Sequence, residues 1–123
     1  NVEKSEKFLL YNSIEKIIEE LEKNNLINDE NYTSSKIRGF IFQGKSRIFI
    51  KSYFLQKGIN GDLIYKSLEN YDNENPDWEF ESAKIFARKK RFSNTIDDRE
   101  KKLSKMARAG FNFDISKKTL DQL

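Results

Sequence analysis

The chain has no cysteine and no histidine, one proline and five glycines in 123 residues. Disulfides and thiolate nucleophiles are therefore excluded. Without imidazole the usual base of a nucleophilic triad is missing, and the commonest zinc ligands go with the two residues together. Any enzyme built from this chain would work with carboxylates, lysines or hydroxyls. No apolar run approaches the roughly 20 residues of a membrane span, and Asn1, Val2, Glu3 and Lys4 carry no secretory pattern. The expectation is a cytoplasmic, monomeric protein with no cofactor, no metal and no membrane contact. A start on Asn1 instead of Met implies a processed or engineered terminus with sequence upstream of it.

Charged residues make up 35% of the chain, hydrophobic ones 37% and aromatic ones 13%, which is polar yet too rich in Phe, Ile and Leu for disorder. The length suits one domain or a short array of small units. The net charge of +3 is an average over two unlike parts. Residues 1 to 30 hold four lysines against eight acids, whereas residues 31 to 123 hold 19 basic groups against 12 acidic ones. An acidic opening precedes a basic body.

Hydrophobic spacing is helical almost throughout. Ile14, Ile17, Ile18 and Leu21 form the buried stripe of an amphipathic helix. Asn28 or Asp29 is placed to cap a second helix carrying Tyr32, Ile37, Phe40 and Ile41, which stops near Gly44. A third runs from Ser46 through Ile50 and Phe54 to Lys57, closed by Gly58. Asn60 or Asp62 caps a fourth, with Leu63, Ile64 and Leu68 inward. The polar stretch from Asn70 to Asn75, ending at Pro76, reads as a linker. Further helices are expected over Trp78 to Phe92, Asp97 to Ala109 and Asn112 to the end.

The parts on either side of that linker repeat one another. A shift of 52 places Gly58 on Gly110, Ile59 on Phe111, Asp62 on Asp114, Leu63 on Ile115, Leu68 on Leu120 and Phe54 on Met106. The first helix of each part matches poorly at this offset. A period near 50 is that of stacked helical repeats, none able to cover its own apolar face.

Between Leu26 and Leu120 the residues resemble the RecX family, bacterial regulators of the RecA recombinase. Ile27-Asn28-Asp29-Glu30-Asn31-Tyr32 is similar to the family's helix start, and Phe54-Leu55-Gln56-Lys57-Gly58-Ile59 to its "L-x-x-K-G-I". Ala87-Arg88-Lys89 and the run from Leu103 to Phe111 add the second unit. The resemblance implies an all-α fold of tandem three-helix repeats in an elongated, curved module. The expected division is an acidic segment with the last helix of a preceding repeat over 1–28, a middle repeat over 29–75 and a C-terminal repeat over 76–123. The implied function is binding along the RecA–DNA filament, restraining recombination and co-protease activity without chemistry of its own. The partners it implies are RecA, as filament or monomer, with weak direct contact to DNA. Where many relatives carry Gly, Arg-Ile and Glu-Leu, this chain has Ser46, Phe49-Ile50 and Tyr53-Phe54, so two polar positions are aromatic.

Arg88, Lys89, Lys90 and Arg91 are the densest basic run, followed by Arg99, Lys101, Lys105 and Arg108, of which the last three share a helix face. Such a surface suits phosphates or an acidic protein groove, or else keeps the protein soluble. Asp97, Asp98 and Glu100 interrupt it. Phe49 and Tyr53, four apart, are the aromatic pair expected to leave at least one ring exposed, since Ile50, Phe54 and Phe42 are available for the core. A helix-turn-helix reading is disfavoured because Asp62 and Asp114 would face phosphates at the reading position. Gly58-Ile59-Asn60-Gly61 imitates a nucleic-acid-binding GxxG loop, but without the sheet that loop needs. Glu79 with Glu81, and Asp97 with Asp98, do not converge as acid and base or as magnesium ligands. The alternative to a RecA regulator is a helical nucleic-acid-binding protein acting independently of RecA.

Overall fold

The computed structural model describes residues 2–93 and 95–123, with the side chains of 2–5, 8, 11, 22 and 24–28 left aside. Its elements are α1 (Val2–Phe42), α2 (Arg47–Gln56), α3 (Gly61–Glu74), α4 (Trp78–Lys89), α5 (Arg99–Arg108) and α6 (Phe113–Asp121). Among the described residues there is no strand, and the fold class is all-α. The chain divides into two compact units, Asn1–Tyr32 and Thr33–Leu123.

The first unit is helical backbone alone. Asn28 and Asp29 were expected to cap a new helix, yet both lie inside α1. No Gly or Pro occurs before Gly39, so nothing stops the helix there. Ile14, Ile17, Ile18 and Leu21 are exposed where a buried stripe was expected, because this unit holds no second element to cover them.

In the second unit the ends of α1, α2, α4 and α5 close in one way. Gly44, Gly58, Arg91 and Gly110 have positive φ of 82°, 79°, 58° and 99°. The next amide reaches back to a carbonyl one turn down: Lys45 to Phe40, Ile59 to Phe54, Phe92 to Ala87, and Phe111 to Met106. These are Schellman closures, which satisfy carbonyls that a helix end leaves unpaired. Asn60 and Asn112 cap α3 and α6, Asn60 through the amide of Asp62 and Asn112 through that of Ile115. Asp62 and Asp114 sit in the first turns, where a carboxylate favours the helix dipole.

The closures explain the poor match of the first helices. Gly58 and Gly110 are 52 apart, but Gly44 and Arg91 are only 47 apart. The connection from Arg91 to the start of α5 is longer by those five residues than the one from Gly44 to α2. One fixed shift therefore cannot align all the helices.

One core cluster joins Ile37, Phe40 and Ile41 of α1, Ile50 and Phe54 of α2, and Ile64 and Leu68 of α3, as the spacing predicts. Trp78, the first residue of α4, is fully buried in that same cluster. A second cluster holds Ala83, Met106 and Phe111. Phe42, expected to be available for the core, is 80% exposed, since it follows the buried pair Phe40 and Ile41 on the opposite side of the helix. The expected linker from Asn70 is helical as far as Glu74. Tyr71 holds it there by packing edge-on to Trp78, with ring centroids 6.2 Å apart.

Candidate functional site

The ends of α1 and α4 meet closely. A Cβ on Gly44 would stand 2.8 Å from the Phe86 amide nitrogen, so only glycine allows the approach as well as the positive φ. Ser82 donates its hydroxyl hydrogen bond to the Lys45 carbonyl, and Lys89 Nζ donates to the Gln43 carbonyl at 3.1 Å. Ser46, the N-cap of α2, ties this junction to the end of α5 through the Ala109 carbonyl. Beside these contacts lies a cleft of about 450 Å3, lined by Gln43, Lys45, Phe49, Phe86, Lys89 and Lys90, with Gly44 and Ala109. Among the described residues no carboxylate lines it.

The lysines rest on aromatic rings. Lys45 Nζ lies 4.6 Å from the Phe49 centroid, and Lys90 Nζ lies 5.8 Å from that of Phe86. Phe86 neighbours Phe92, over which Lys105 Nζ stands at 5.9 Å. On the other side Phe49 meets Phe40 edge-on at 5.4 Å, and Phe40 meets Tyr53 at 4.8 Å, with Lys36 over both rings and Lys57 over Tyr53. The result is a band of lysines interleaved with rings, an arrangement that holds ammonium groups at a surface without pairing them to acids.

The candidate residues sort into two groups. Lys89, Lys90 and Phe49 line the cleft, and Tyr53 and Lys105 join the band. Phe49 is the exposed member of the expected aromatic pair, at 38%, while Tyr53 is half-buried. Arg88, Arg91 and Arg108 are exposed outside the cleft. Arg99 is bound to Asp121 at 2.7 Å, and Lys101 stands 3.9 Å from Asp98. Sequence reasoning missed Lys45, Gln43 and Phe86. The signal for Lys45 was its place between a helix-closing Gly44 and an N-capping Ser46, which leaves it in a turn four positions before Phe49.

The carboxylates serve structure. Glu79 accepts from the Arg47 amide at 2.8 Å, and Glu81 pairs with Lys84 at 2.9 Å. Asp98 stands at the start of α5 with φ 58° and makes no side-chain cap bond. Asp72 accepts from the Arg47 guanidinium and from Trp78 Nε1, the latter at 2.6 Å. Partial burial pushes its carboxyl up, but the bonds from Arg47 and Trp78 and the charges of Arg47 and Lys51 outweigh this and hold it below its ordinary range. Among the described residues no group of three or more acids is placed to hold a metal ion, and no helix is long and apolar enough to cross a membrane. The cleft can bind an anion; it holds no nucleophile with a base beside it.

No family model matches the chain, and no solved structure matches it. Among curated proteins it is similar to Regulatory protein RecX of Myxococcus xanthus, 31% identical over 115 residues, which are 88% of this chain and 60% of that protein. It is likewise similar to the RecX proteins of Clostridium botulinum, 35% identical over 85% of this chain and 50% of the relative, and of Clostridioides difficile, 31% over 91% and 54%. These likenesses, at 31–35% identity over most of the chain, support membership of the RecX family. It spans between half and three fifths of the length of these RecX relatives. The residues that carry the RecX resemblance now have structural roles. Phe54 to Ile59 closes α2, and Met106 to Phe111 closes α5. The Ile27 to Tyr32 stretch, similar to a RecX helix start, instead lies within α1. Phe49 and Tyr53, the aromatic departures from the RecX pattern, both fall on the lysine band.

Proposed function

We propose that this chain is a non-enzymatic modulator of RecA, an inhibitor that binds the RecA–DNA filament and restrains recombination and co-protease activity. The observation that carries the reading is the carboxylate-free lysine cleft with its flanking band of rings, on a chain of the RecX family. Its mechanism is occupancy. A basic, partly aromatic surface seated on a nucleoprotein filament blocks turnover and partner access without making or breaking a bond. Direct, weaker contact with DNA is part of this reading, and RecA monomer is a second target. The matched closures at Gly58 and Gly110 support two three-helix repeats over 29–75 and 76–123. The work is cytoplasmic, and the chain acts as a monomer.

The test is to add the purified chain to RecA filaments on single-stranded DNA and follow ATP hydrolysis, strand exchange and filament length. All three are expected to fall with added protein. No change at saturating protein overturns the reading. Tight binding to bare DNA, with RecA unaffected, would support a nucleic-acid-binding protein acting independently.

A further inference from the structure

Three ammonium groups gathered without an acid repel one another, and an anion relieves that repulsion. Lys45, Lys89 and Lys90 are so gathered on one cleft. Their ammonium groups are held: Lys89 by the Gln43 carbonyl, Lys45 over Phe49 and Lys90 over Phe86. An ammonium acts as a point charge that serves a phosphate oxygen well, while a planar guanidinium fork pairs with phosphate and carboxylate alike. Arg88 and Arg91, the arginines adjoining this lysine pair in sequence, are both outside the cleft. Phe49, in its lining, is 38% exposed.

We infer that this cleft binds single-stranded nucleic acid, with phosphates on Lys45, Lys89 and Lys90 and one unstacked base against Phe49. Charge along the backbone and a ring for the base are the two components from which sequence-tolerant single-strand binding is built. The track extends past the cleft, because Phe92 adjoins Phe86 and carries Lys105 over its ring. A duplex is a poorer ligand, since its bases are stacked inside and cannot meet Phe49. This deepens the DNA contact included in the reading above and requires no contact with RecA.

The experiment is fluorescence anisotropy of a labelled short oligothymidylate with the full chain, without RecA, across a salt series. For single strands the salt slope falls by about 0.7 for each phosphate contact removed, so Lys45→Gln, Lys89→Gln and Lys90→Gln together lower it by about 2. The same triple variant weakens low-salt binding by roughly 30-fold or more. Phe49→Leu weakens binding about 5-fold or more while leaving the slope unchanged, which separates stacking from charge. Lys66→Gln, on the exposed face of α3, is the neutral control, and circular dichroism verifies helicity in every variant. Unchanged affinity and slope in the triple variant overturn the site. So does an oligoglutamate peptide that displaces the strand as well as unlabelled oligothymidylate does, since the cleft then takes an acidic protein. Loss of strand binding with RecA restraint intact upholds the site and separates it from the RecA mechanism.

Discussion

Ser46 donates its hydroxyl hydrogen bond to the Ala109 carbonyl at 2.7 Å while accepting from the Phe49 amide at 3.2 Å. One fully buried side chain thus caps the start of α2 and fastens it to the end of α5. Ser46→Ala removes the cap and leaves a carbonyl short of its partner, at a cost of about 2–3 kcal/mol. Thermal denaturation is expected to show a midpoint lower by roughly 5–10 °C. An unmoved midpoint removes Ser46 from this role.

Gly44 and Gly58 have nearly the same φ but different surroundings. A Cβ on Gly58 meets nothing within 4 Å, whereas one on Gly44 meets the Phe86 backbone. Gly58→Ala is expected to cost only the left-handed penalty of about 1–2 kcal/mol. Gly44→Ala adds a backbone clash and should cost at least about 2 kcal/mol more. Urea midpoints of the two variants, measured side by side, check the order.

Arg91 is an arginine with φ 58° at the position Gly44 fills after α1. Arg91→Gly relieves the left-handed strain and loses some unfolded-chain entropy advantage, for a net gain of about 0.5–1 kcal/mol. The variant should therefore melt higher. If the chain holds RecA filaments as proposed and that hold falls while stability rises, the Arg91 side chain contributes to binding.

Asp72 confers a defined pH dependence. Its carboxyl is held below the ordinary range in the folded chain, so its contribution to stability is full above the unfolded value of about 3.9. That contribution is lost as pH falls through the lower folded value. Asp72→Asn should destabilise the chain at neutral pH and flatten the decline that sets in below about pH 4. Denaturation midpoints at a series of pH values compare the two proteins. A parallel decline in both would assign the acid sensitivity to other groups.

Arg99, one of the basic candidates, differs from its neighbours in being tied to Asp121 across to α6. Arg99→Gln is expected to lower stability by no more than about 1 kcal/mol, as for a partly exposed pair. The RecA inhibition proposed above should be the same for this variant as for the parent. A clear loss of inhibition in a folded variant would return Arg99 to the interface.

The helix ends were legible wherever glycine alone suits the backbone, as at Gly44, Gly58 and Gly110, and where a polar residue precedes a helix, as at Ser46. The end of α4 was not, because Arg91 carries no mark of a left-handed position. The continuity of α1 was hidden by Asn28 and Asp29, which cap helices well yet do not stop one. Lys89, Lys90 and Phe49 could be named from a basic run and an aromatic pair. Lys45 could not be joined to them beforehand: the cleft exists only because Gly44 lets two helix ends touch that are more than 40 positions apart in sequence.

Trp78 is the only tryptophan, buried among α1, α2 and α3 residues with its indole N–H on Asp72 and the Arg47 guanidinium 5.0 Å from its ring. Its emission is thus a built-in reporter of the α2–α4 junction. Far-ultraviolet ellipticity, by contrast, registers every helix including the opening stretch of α1. Followed together through a denaturant titration, the two signals coincide if the chain unfolds as one body, and an earlier loss of ellipticity marks the separate melting of the first unit.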